Sequence, residues 1–347
     1  MPDLTLGVVD QSPVRTGGTA ADAVAETLAL ASRCEALGYS RYWLAEHHST
    51  NSFAGSSPAV LIPAVAAATR EMRVGSGGVL LSHYSPLQVA EQFRMLETLF
   101  PGRIDLGVGR APGGDPRTVG ALQYGRGGIG VELFPRQVED LVGWLEDSFT
   151  DDHPWRRVRA MPRARTVPEL WLLGSGGTSA YHAAEAGAGY SFAQFISGED
   201  GSALVEAYRR GFRPSARRAR PEASVAVGVV CAETGEEAAR LASSLELWRR
   251  RIARGRDRGI PSPEEALEEL ERGWRPPAPD APGARIVAGD PAAVRDALHR
   301  LAGHYGVREL LVVTVTHAAE ARLRSYELLA EAMGLPGRRP PTASAPP

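Results

Sequence analysis

The stretch MRVGSGGVLLSHYSPLQVAEQFRMLETLFPGRIDLGVGR, residues 72–110, decides the fold prediction. Its first part, 72–81, is a short apolar run typical of a buried strand. PLQVAEQFRMLETLF at 86–100 has helical spacing and a proline in its first turn, and a second strand-like run follows at 103–110. Strand, helix and strand in this order predict a parallel βαβ unit.

The same unit recurs along the 347 residues. Further strands are predicted at 4–10, 40–46, 169–174, 187–195, 224–233 and 307–316. Further helices are predicted at 21–38, 58–69, 131–147, 177–187, 200–212, 235–254 and 317–334. Eight strands that each precede a helix predict an α/β fold of the (β/α)8 TIM-barrel type. A doubly wound sheet is the alternative, although it usually closes in fewer units.

Residues 257–305 interrupt this pattern. They contain an acidic helix at 263–273, a proline-rich loop at 274–284 and a short helix after 289–291. We interpret them as an insertion before the last β/α unit, which covers the barrel mouth as a substrate lid. The prediction is a single domain over residues 1–334, followed by a disordered tail at 335–347.

The composition excludes several classes of function. All 39 basic residues are arginine and the net charge is −2, so there is no lysine for a Schiff base, a pyridoxal phosphate anchor or a Walker motif. Acidic residues balance the arginine runs at 209–220 and 248–259, and no nucleic-acid partner is expected.

Membrane contact and secretion are not expected either. No apolar run approaches the roughly 18 residues of a membrane span, and the N-terminus lacks the basic start of a signal peptide. Cys34 and Cys231 lie far apart in sequence. The sequence does not exclude a disulfide between them, but the expected location is the reducing cytoplasm.

Function in such a barrel gathers at the carboxyl ends of the strands. His47 and His48 directly follow strand two in WLAEHHSTNSF, 43–53. Their E-H-H spacing lacks the i, i+4 arrangement of a helical zinc pair, so no metal is expected. Neighbouring strand residues face opposite sides, and the two rings should therefore have different tasks or simply cap the strand. His83 and Tyr84 follow strand three as candidates for a substrate pocket.

Three other strand ends point to a phosphate-bearing, planar cofactor. Glycines 75, 77 and 78 lie inside strand three, where glycine marks a close approach by another group. Arg110 ends strand four, and Ser175–Ser179 runs from strand five directly into a helix, whose free amides favour an anion. GVGRAPG at 107–113 has Pro112 in the position of the third glycine of a G-x-G-x-x-G fingerprint, and GRGGIG at 125–130 follows no predicted strand, which argues against a Rossmann site for NAD(P)H.

Four segments together carry a family resemblance: GVVDQSP at 7–13, GYSRYWLAEHH at 38–48, residues 66–113, and VPELWLLGSGGTSA at 167–180. The chain resembles the bacterial luciferase-like flavin monooxygenases, in particular the subgroup in which strand four ends in GRAPG. The match is dense over 4–116, good over 167–195 and diffuse beyond. It supports a luciferase-like barrel and says little about the substrate.

The resemblance implies a role for each matching position. His47 becomes the catalytic histidine, whose ordinary pKa of about 6.5 suits proton exchange. The flavin ring is expected against Gly77 and Gly78, where a non-prolyl cis peptide is common in the family. The expected phosphate ligands are Arg110, Ser175, Gly176 and Ser179.

The chain also departs from luciferase at two positions. Gly109 replaces a reactive cysteine, so light emission is not expected. Gln194 replaces a tryptophan and becomes a candidate for the wall of the substrate pocket.

The implied function is that of a two-component flavin-dependent monooxygenase. Reduced FMN, supplied by a separate flavin reductase through diffusion, and O2 as co-substrate oxygenate a small organic substrate through a C4a-(hydro)peroxyflavin. An aromatic or polyketide-type natural-product intermediate is the expected substrate. The alternatives are a deazaflavin-dependent hydride-transfer enzyme and a non-catalytic flavin-binding protein. The helices at 58–69 and 86–100 are apolar on more than one face, which predicts a homodimer through them.

Overall fold

The computed structural model describes residues 4–110, 114–124, 130–278, 281 and 283–337. The strands are β1 Thr5–Asp10, β2 Arg41–Leu44, β3 Arg73–Ser76, β4 Val79–Leu80, β5 Ile104–Gly109, β6 Glu169–Gly174, β7 Gly189–Ala193, β8 Ala223–Cys231, β9 Ile286–Gly289 and β10 Glu309–Val313. The helices are α1 Ala20–Leu37, α2 Pro58–Ala68, α3 Pro86–Leu99, α4 Pro116–Leu122, α5 Phe134–Glu146, α6 Gly177–Glu185, α7 Gln194–Ser197, α8 Ser202–Gly211, α9 Gly235–Ala253, α10 Pro263–Glu269, α11 Pro291–Tyr305 and α12 Ala319–Met333.

The sheet closes into a parallel barrel, which confirms the predicted (β/α)8 fold. Eight strands follow one another around it in the order β1, β2, β3, β5, β6, β7, β8 and β10, and β10 returns to β1 with Leu310 opposite Leu6. β4 continues β3 after two glycines and also pairs with β5. Buried apolar side chains point outward from the barrel to the ring of helices, and a second apolar cluster fills its interior.

The barrel interior is closed at the amino ends of the strands by a buried polar group. Asp105 accepts hydrogen bonds from Trp43 Nε1 at 2.8 Å, from Arg41 Nη1 at 2.9 Å and from Arg73 Nε at 2.7 Å. Above it, the rings of Trp43 and Trp171 meet edge to face, 5.5 Å apart between centroids. These bulky side chains fill the lower barrel, and the cavities described below lie at the carboxyl ends of the strands.

The connection between the last two barrel strands differs from the prediction. The prediction counts the helix at 235–254 among the eight that follow the barrel strands, but helix α9 packs against α10 and β9 at the barrel mouth. Helix α11, predicted as a short helix within the insertion at 257–305, has 15 residues and packs against α8, α12 and the strands β8 and β10. The ring position therefore belongs to α11, and we call residues 235–278, which cover the mouth, the cap segment.

Strand β9 was not predicted at all. It pairs with the second half of β8, from Gly228 to Cys231, beyond the point where β7 ends. Only four residues long, IVAG, it offers no periodicity that a sequence pattern could reveal.

Two other expectations are only partly covered by the structure. Most of the tail predicted as disordered, 338–347, lies outside the described residues, and that residues 1–334 form a single domain stays a prediction. Within the described part of the chain, no helix combines the length and the apolar character needed to cross a membrane.

Candidate active site

An inner cavity of about 380 Å³ lies at the carboxyl ends of the barrel strands. It is bounded by residues that directly follow β1, β2, β3, β5, β6 and β7. Most of the predicted site residues line it: His47, Gly77, Gly78, Arg110, Ser175, Gly176 and Ser179. Residues that are far apart in sequence therefore meet in one cavity because parallel strands all end on the same face.

The floor of the inner cavity is the Gly77–Gly78 segment, whose peptide bond is cis. A Cβ atom on Gly77 would lie 2.8 Å from Trp43 Cβ, and one on Gly78 would lie 2.7 Å from the carbonyl oxygen of Gly107. Neither position has room for a side chain. The chain at this point is a flat backbone surface on which a planar ring system can lie.

The opposite end of the inner cavity is suited to an anion. Helix α6 begins here without a side-chain cap, so its first amides are open to a ligand. Within the described residues the Arg110 guanidinium has no ion-pair partner, and Ser179 is buried against Gly174. Burial and the charge of Arg110 lower the pKa of His182, which fits an uncompensated positive charge at this end.

These features fit a flavin mononucleotide. The glycine floor accepts the ring, and the guanidinium with the open amides of α6 accepts the phosphate. The predicted phosphate ligands Arg110, Ser175, Gly176 and Ser179 all line this cavity, and their binding to a phosphate stays a prediction. Residues 111–113 of the GRAPG motif lie outside the described residues.

His47 stands at the edge of the inner cavity with an unsatisfied ring nitrogen. Its ring lies 4.6 Å from that of Phe53, centroid to centroid, and its buried Nδ1 has no hydrogen-bond partner among the described residues. Burial and, to a smaller degree, His48 lower the pKa of His47 from 6.5 to about 4. The sequence alone does not reveal this burial, so it gives only the unperturbed imidazole pKa of about 6.5. At neutral pH this imidazole is uncharged and can accept a proton.

We expect histidine NMR titrations to show this directly. His47 should titrate near pH 4, and His48→Gln should raise its pKa because one nearby positive charge is lost. The unfolded chain binds this proton more readily than the folded one, so stability should fall as the pH drops from about 6.5 towards 4. A His47 that titrates near its ordinary value would contradict the assignment of a desolvated base.

His48 has a different partner from His47. Its Nε2 donates to Glu46 Oε1 at 2.7 Å, and the same oxygen accepts from Tyr84 Oη at 2.8 Å. The second oxygen of Glu46 accepts from the amide of Leu80 at 3.0 Å. The buried carboxylate thus ties the ends of β2 and β4 together, and it fixes the backbone from which His47 projects.

An outer cavity of about 870 Å³ adjoins the inner one. The two share four lining residues, which are Gln11, His47, Phe195 and Ile196. Helix α9 forms one wall of the outer cavity, and its Trp248 ring packs 5.1 Å from that of Phe53. His47 therefore lies at the junction of a planar anion-binding cavity and a larger, mostly apolar one.

The cap segment is attached to the loop that follows His48 by a cluster of polar contacts. Asp257 accepts hydrogen bonds from Thr50 Oγ1 and the Asn51 amide, both at 2.6 Å, and from the Ser52 hydroxyl. Trp248 Nε1 donates to the same Ser52 hydroxyl at 2.8 Å. Sequence reasoning missed Asp257, because its partners lie about 205–207 positions away and no local motif marks it.

The three predicted substrate-pocket residues require a correction. In the described part of the chain, neither cavity is lined by His83, Tyr84 or Gln194. Tyr84 is held by Glu46, and burial together with that carboxylate raises the pKa of its phenol. Gln194 is almost fully buried and accepts a hydrogen bond from Tyr305. The structure thus places Phe195 and Ile196, the next residues along, in the pocket wall instead.

The barrel and the joined cavities at its carboxyl face define a (β/α)8-barrel enzyme. Within that class, the family model of the luciferase-like monooxygenases matches residues 4–308, and the chain belongs to this family. The protein is therefore an oxidoreductase of the monooxygenase type.

Close relatives cover almost the whole chain. The protein YwcH of Bacillus subtilis (strain 168) is 45% identical over 95% of this chain and 99% of its own length. The N-acetyl-S-alkylcysteine monooxygenase of the same organism is 38% identical over 95% of this chain and 98% of its own. The crystal structure of apo-MsnO8 has a TM-score of 0.88, with 39% identity over 97% of this chain and 99% of that one.

Proposed function

We propose that the protein is the oxygenating component of a two-component system. A separate flavin reductase supplies reduced FMN by diffusion, and O2 oxygenates a small organic substrate. The observation that carries this proposal is the arrangement of two cavities that meet at His47, one with a flat floor and an anion end, the other large and mostly apolar.

Each group of residues has a defined task in this proposal. Reduced FMN supplies two electrons to O2, so that one oxygen atom enters the substrate and the other leaves as water. Gly77 and Gly78 support the ring, while Arg110, Ser175, Gly176 and Ser179 hold the phosphate. The cap segment covers part of the outer cavity and limits the access of water to it. His47, uncharged at neutral pH, accepts or returns a proton at its imidazole nitrogen.

The supply of reduced FMN can be tested with the pure protein. In the sequence no G-x-G-x-x-G fingerprint follows a predicted strand, so NADH should not reduce FMN without an added reductase. Sustained NADH oxidation by the protein and FMN alone would contradict the two-component arrangement.

The substrate proposal has two forms. The expected aromatic or polyketide-type intermediate suits the aromatic wall formed by Phe53, Phe195 and Trp248. A thioether is the second candidate, because a relative that is 38% identical is named for N-acetyl-S-alkylcysteine. Both kinds of compound are assayed with the reductase and NADH. The class of compound whose product contains an added oxygen atom identifies the substrate class.

The two alternative functions lead to opposite results. A deazaflavin-dependent enzyme would turn over without oxygen, whereas a flavin-binding protein would give hydrogen peroxide and no product with any substrate. The buried and unpartnered Nδ1 of His47 at the cavity junction favours an enzyme over a storage protein.

Arg110→Ala should weaken the binding of reduced FMN by about 1.5–3 kcal/mol, the usual contribution of a hydrogen bond to a charged group. Riboflavin lacks the phosphate, so its affinity should hardly change. Anaerobic fluorescence titration of both flavins against wild type and variant measures the difference. An equal loss of affinity for the two flavins would show that Arg110 does not bind the phosphate.

We also propose a homodimer through α2 and α3. Val60 on α2 is 75% exposed, and Leu99 and Met95 on α3 are 57% and 49% exposed, so two helices that pack together both present large apolar side chains at the surface. Light scattering at micromolar concentration should give twice the chain mass, and Val60→Glu with Leu99→Glu should reduce it to one chain. A monomeric wild-type protein would dispose of this interface.

A further inference from the structure

Two arginines form part of the wall of the outer cavity. Arg249 of α9 donates from Nη2 to the carbonyl oxygen of Phe195 at 2.9 Å. Arg285, just before β9, donates from Nε to the carbonyl of Ile196 at 3.1 Å and from Nη2 to that of Ser197 at 3.2 Å. All three acceptors are neutral backbone groups, so these hydrogen bonds position the guanidinium groups without neutralising their charges.

The acidic groups near these arginines are engaged elsewhere. Within the described residues, neither Arg249 nor Arg285 forms an ion pair, whereas Glu246, the nearest acid on α9, pairs with Arg250 at 2.8 Å. Two carboxylates line the outer cavity. Asp257 binds the loop at 50–52, and Asp115 caps α4 through the amide and the hydroxyl of Thr118.

The positive charge of Arg249 is partly withdrawn from water, whereas Arg285 is exposed. Burial and the repulsion from Arg285 lower the pKa of Arg249, and the nearby Glu246 offsets only part of this effect. Two positive charges therefore share one region, which favours the binding of an anion there. The rest of the wall, which includes Trp248, Leu245 and Ile252, is apolar.

We propose that the outer cavity selects organic anions, with a carboxylate or similar group at Arg249 and Arg285 and an apolar body against Trp248 and Phe53. Because this inference names the substrate class of the proposed monooxygenase, it rests on the proposed function. Phe195 and Ile196, whose carbonyls hold the two arginines, also line the inner cavity. The anchored anion therefore lies beside the junction at which His47 stands.

The binding test uses the flavin-free protein and two probes of the same shape. They are 3-(benzylthio)propanoate, which carries a carboxylate, and its primary amide, which carries none. Calorimetric titration should show the carboxylate binding about 10- to 100-fold more tightly, the range expected for hydrogen bonds between charged groups. Arg249→Gln should remove most of this preference, and Arg285→Gln should reduce it.

Arg240→Gln is the matched control. Arg240 also lies on α9, but its guanidinium is paired with Glu237 at 2.8 Å and does not line the cavity, so the preference should stay. Unchanged affinity for the amide shows that a variant has kept its pocket. If Arg249→Gln does not fold, Arg249→Lys replaces it and is compared with Arg285→Gln. Arg249→Lys retains the positive charge and should retain part of the preference for the carboxylate.

Equal affinity of the wild-type protein for carboxylate and amide would overturn the proposal, as would a full preference in the double variant Arg249→Gln/Arg285→Gln. The two proposals fail separately. If the wild-type protein does not bind reduced FMN but prefers the carboxylate, only the proposed FMN-dependent function is overturned. Tight, Arg110-dependent FMN binding without a carboxylate preference would remove only the anion site.

Discussion

Replacing His47 with alanine is expected to separate oxygen consumption from product formation. The imidazole stands at the junction of the two cavities, with a buried Nδ1 that has no protein partner in the described part of the chain. Loss of a positioned acid–base group usually costs about 10²–10⁴-fold in rate, and product formation should fall by that factor. The binding of reduced FMN should change little, because the ring floor and the phosphate end are built by other residues.

Oxygen should still be consumed by the His47→Ala variant, and it should appear as hydrogen peroxide. Oxygen uptake, peroxide and product are measured in parallel with the flavin reductase and NADH. His304→Ala is the control, since that histidine is exposed and pairs with Asp200 at 3.0 Å on the outside of the barrel. If the His47 variant couples oxygen to product as well as wild type does, this histidine is only scaffolding at the end of the strand.

Arg322→Leu should destabilise the fold by about 3–5 kcal/mol, the usual cost of leaving a buried charge without its partner. Arg322 Nη2 donates to Asp10 Oδ1 at 2.5 Å, and Asp10 is fully buried at the end of β1. Burial opposes the charge on Asp10, but Arg322, Tyr42 and the Ser12 amide together lower its pKa. The pair fixes the strand end that leads into Gln11, which lines both cavities.

Urea unfolding of wild type and variant measures this loss. Arg324→Leu, two residues along the same helix, removes an exposed ion pair with Glu233 and should cost less than about 1 kcal/mol. Similar small losses in both variants would show that Asp10 is stabilised without Arg322.

The sequence was sufficient for the barrel and for the inner cavity. Alternating strands and helices fix the fold, and in a parallel barrel the residues that follow the strands must share one face. His47, Gly77, Gly78 and Arg110 could therefore be placed near one another without coordinates. These short histidine, glycine and arginine motifs predicted one site together because each of them lies at the end of a predicted strand.

Features that depend on contacts distant in sequence could not be predicted. Helices α9 and α11 both have an apolar face, and nothing local tells which one lies on the barrel and which one covers its mouth. Tyr84 and Gln194 stand where a pocket wall was expected, but Glu46 and Tyr305 hold their side chains. The lowered pKa of His47 arises from burial, which only the assembled site produces.

The most direct test of the central claim follows the oxygen atoms. The protein, a separate flavin reductase, NADH and FMN are incubated under isotopically labelled dioxygen with the panel of carboxylate-bearing aromatic and thioether substrates, and products are analysed by mass spectrometry. We predict a product that carries one labelled oxygen atom, with no product in the absence of reductase or of oxygen. Conversion that proceeds without oxygen when a reduced deazaflavin is supplied, with no labelled product from reduced FMN, would contradict this account.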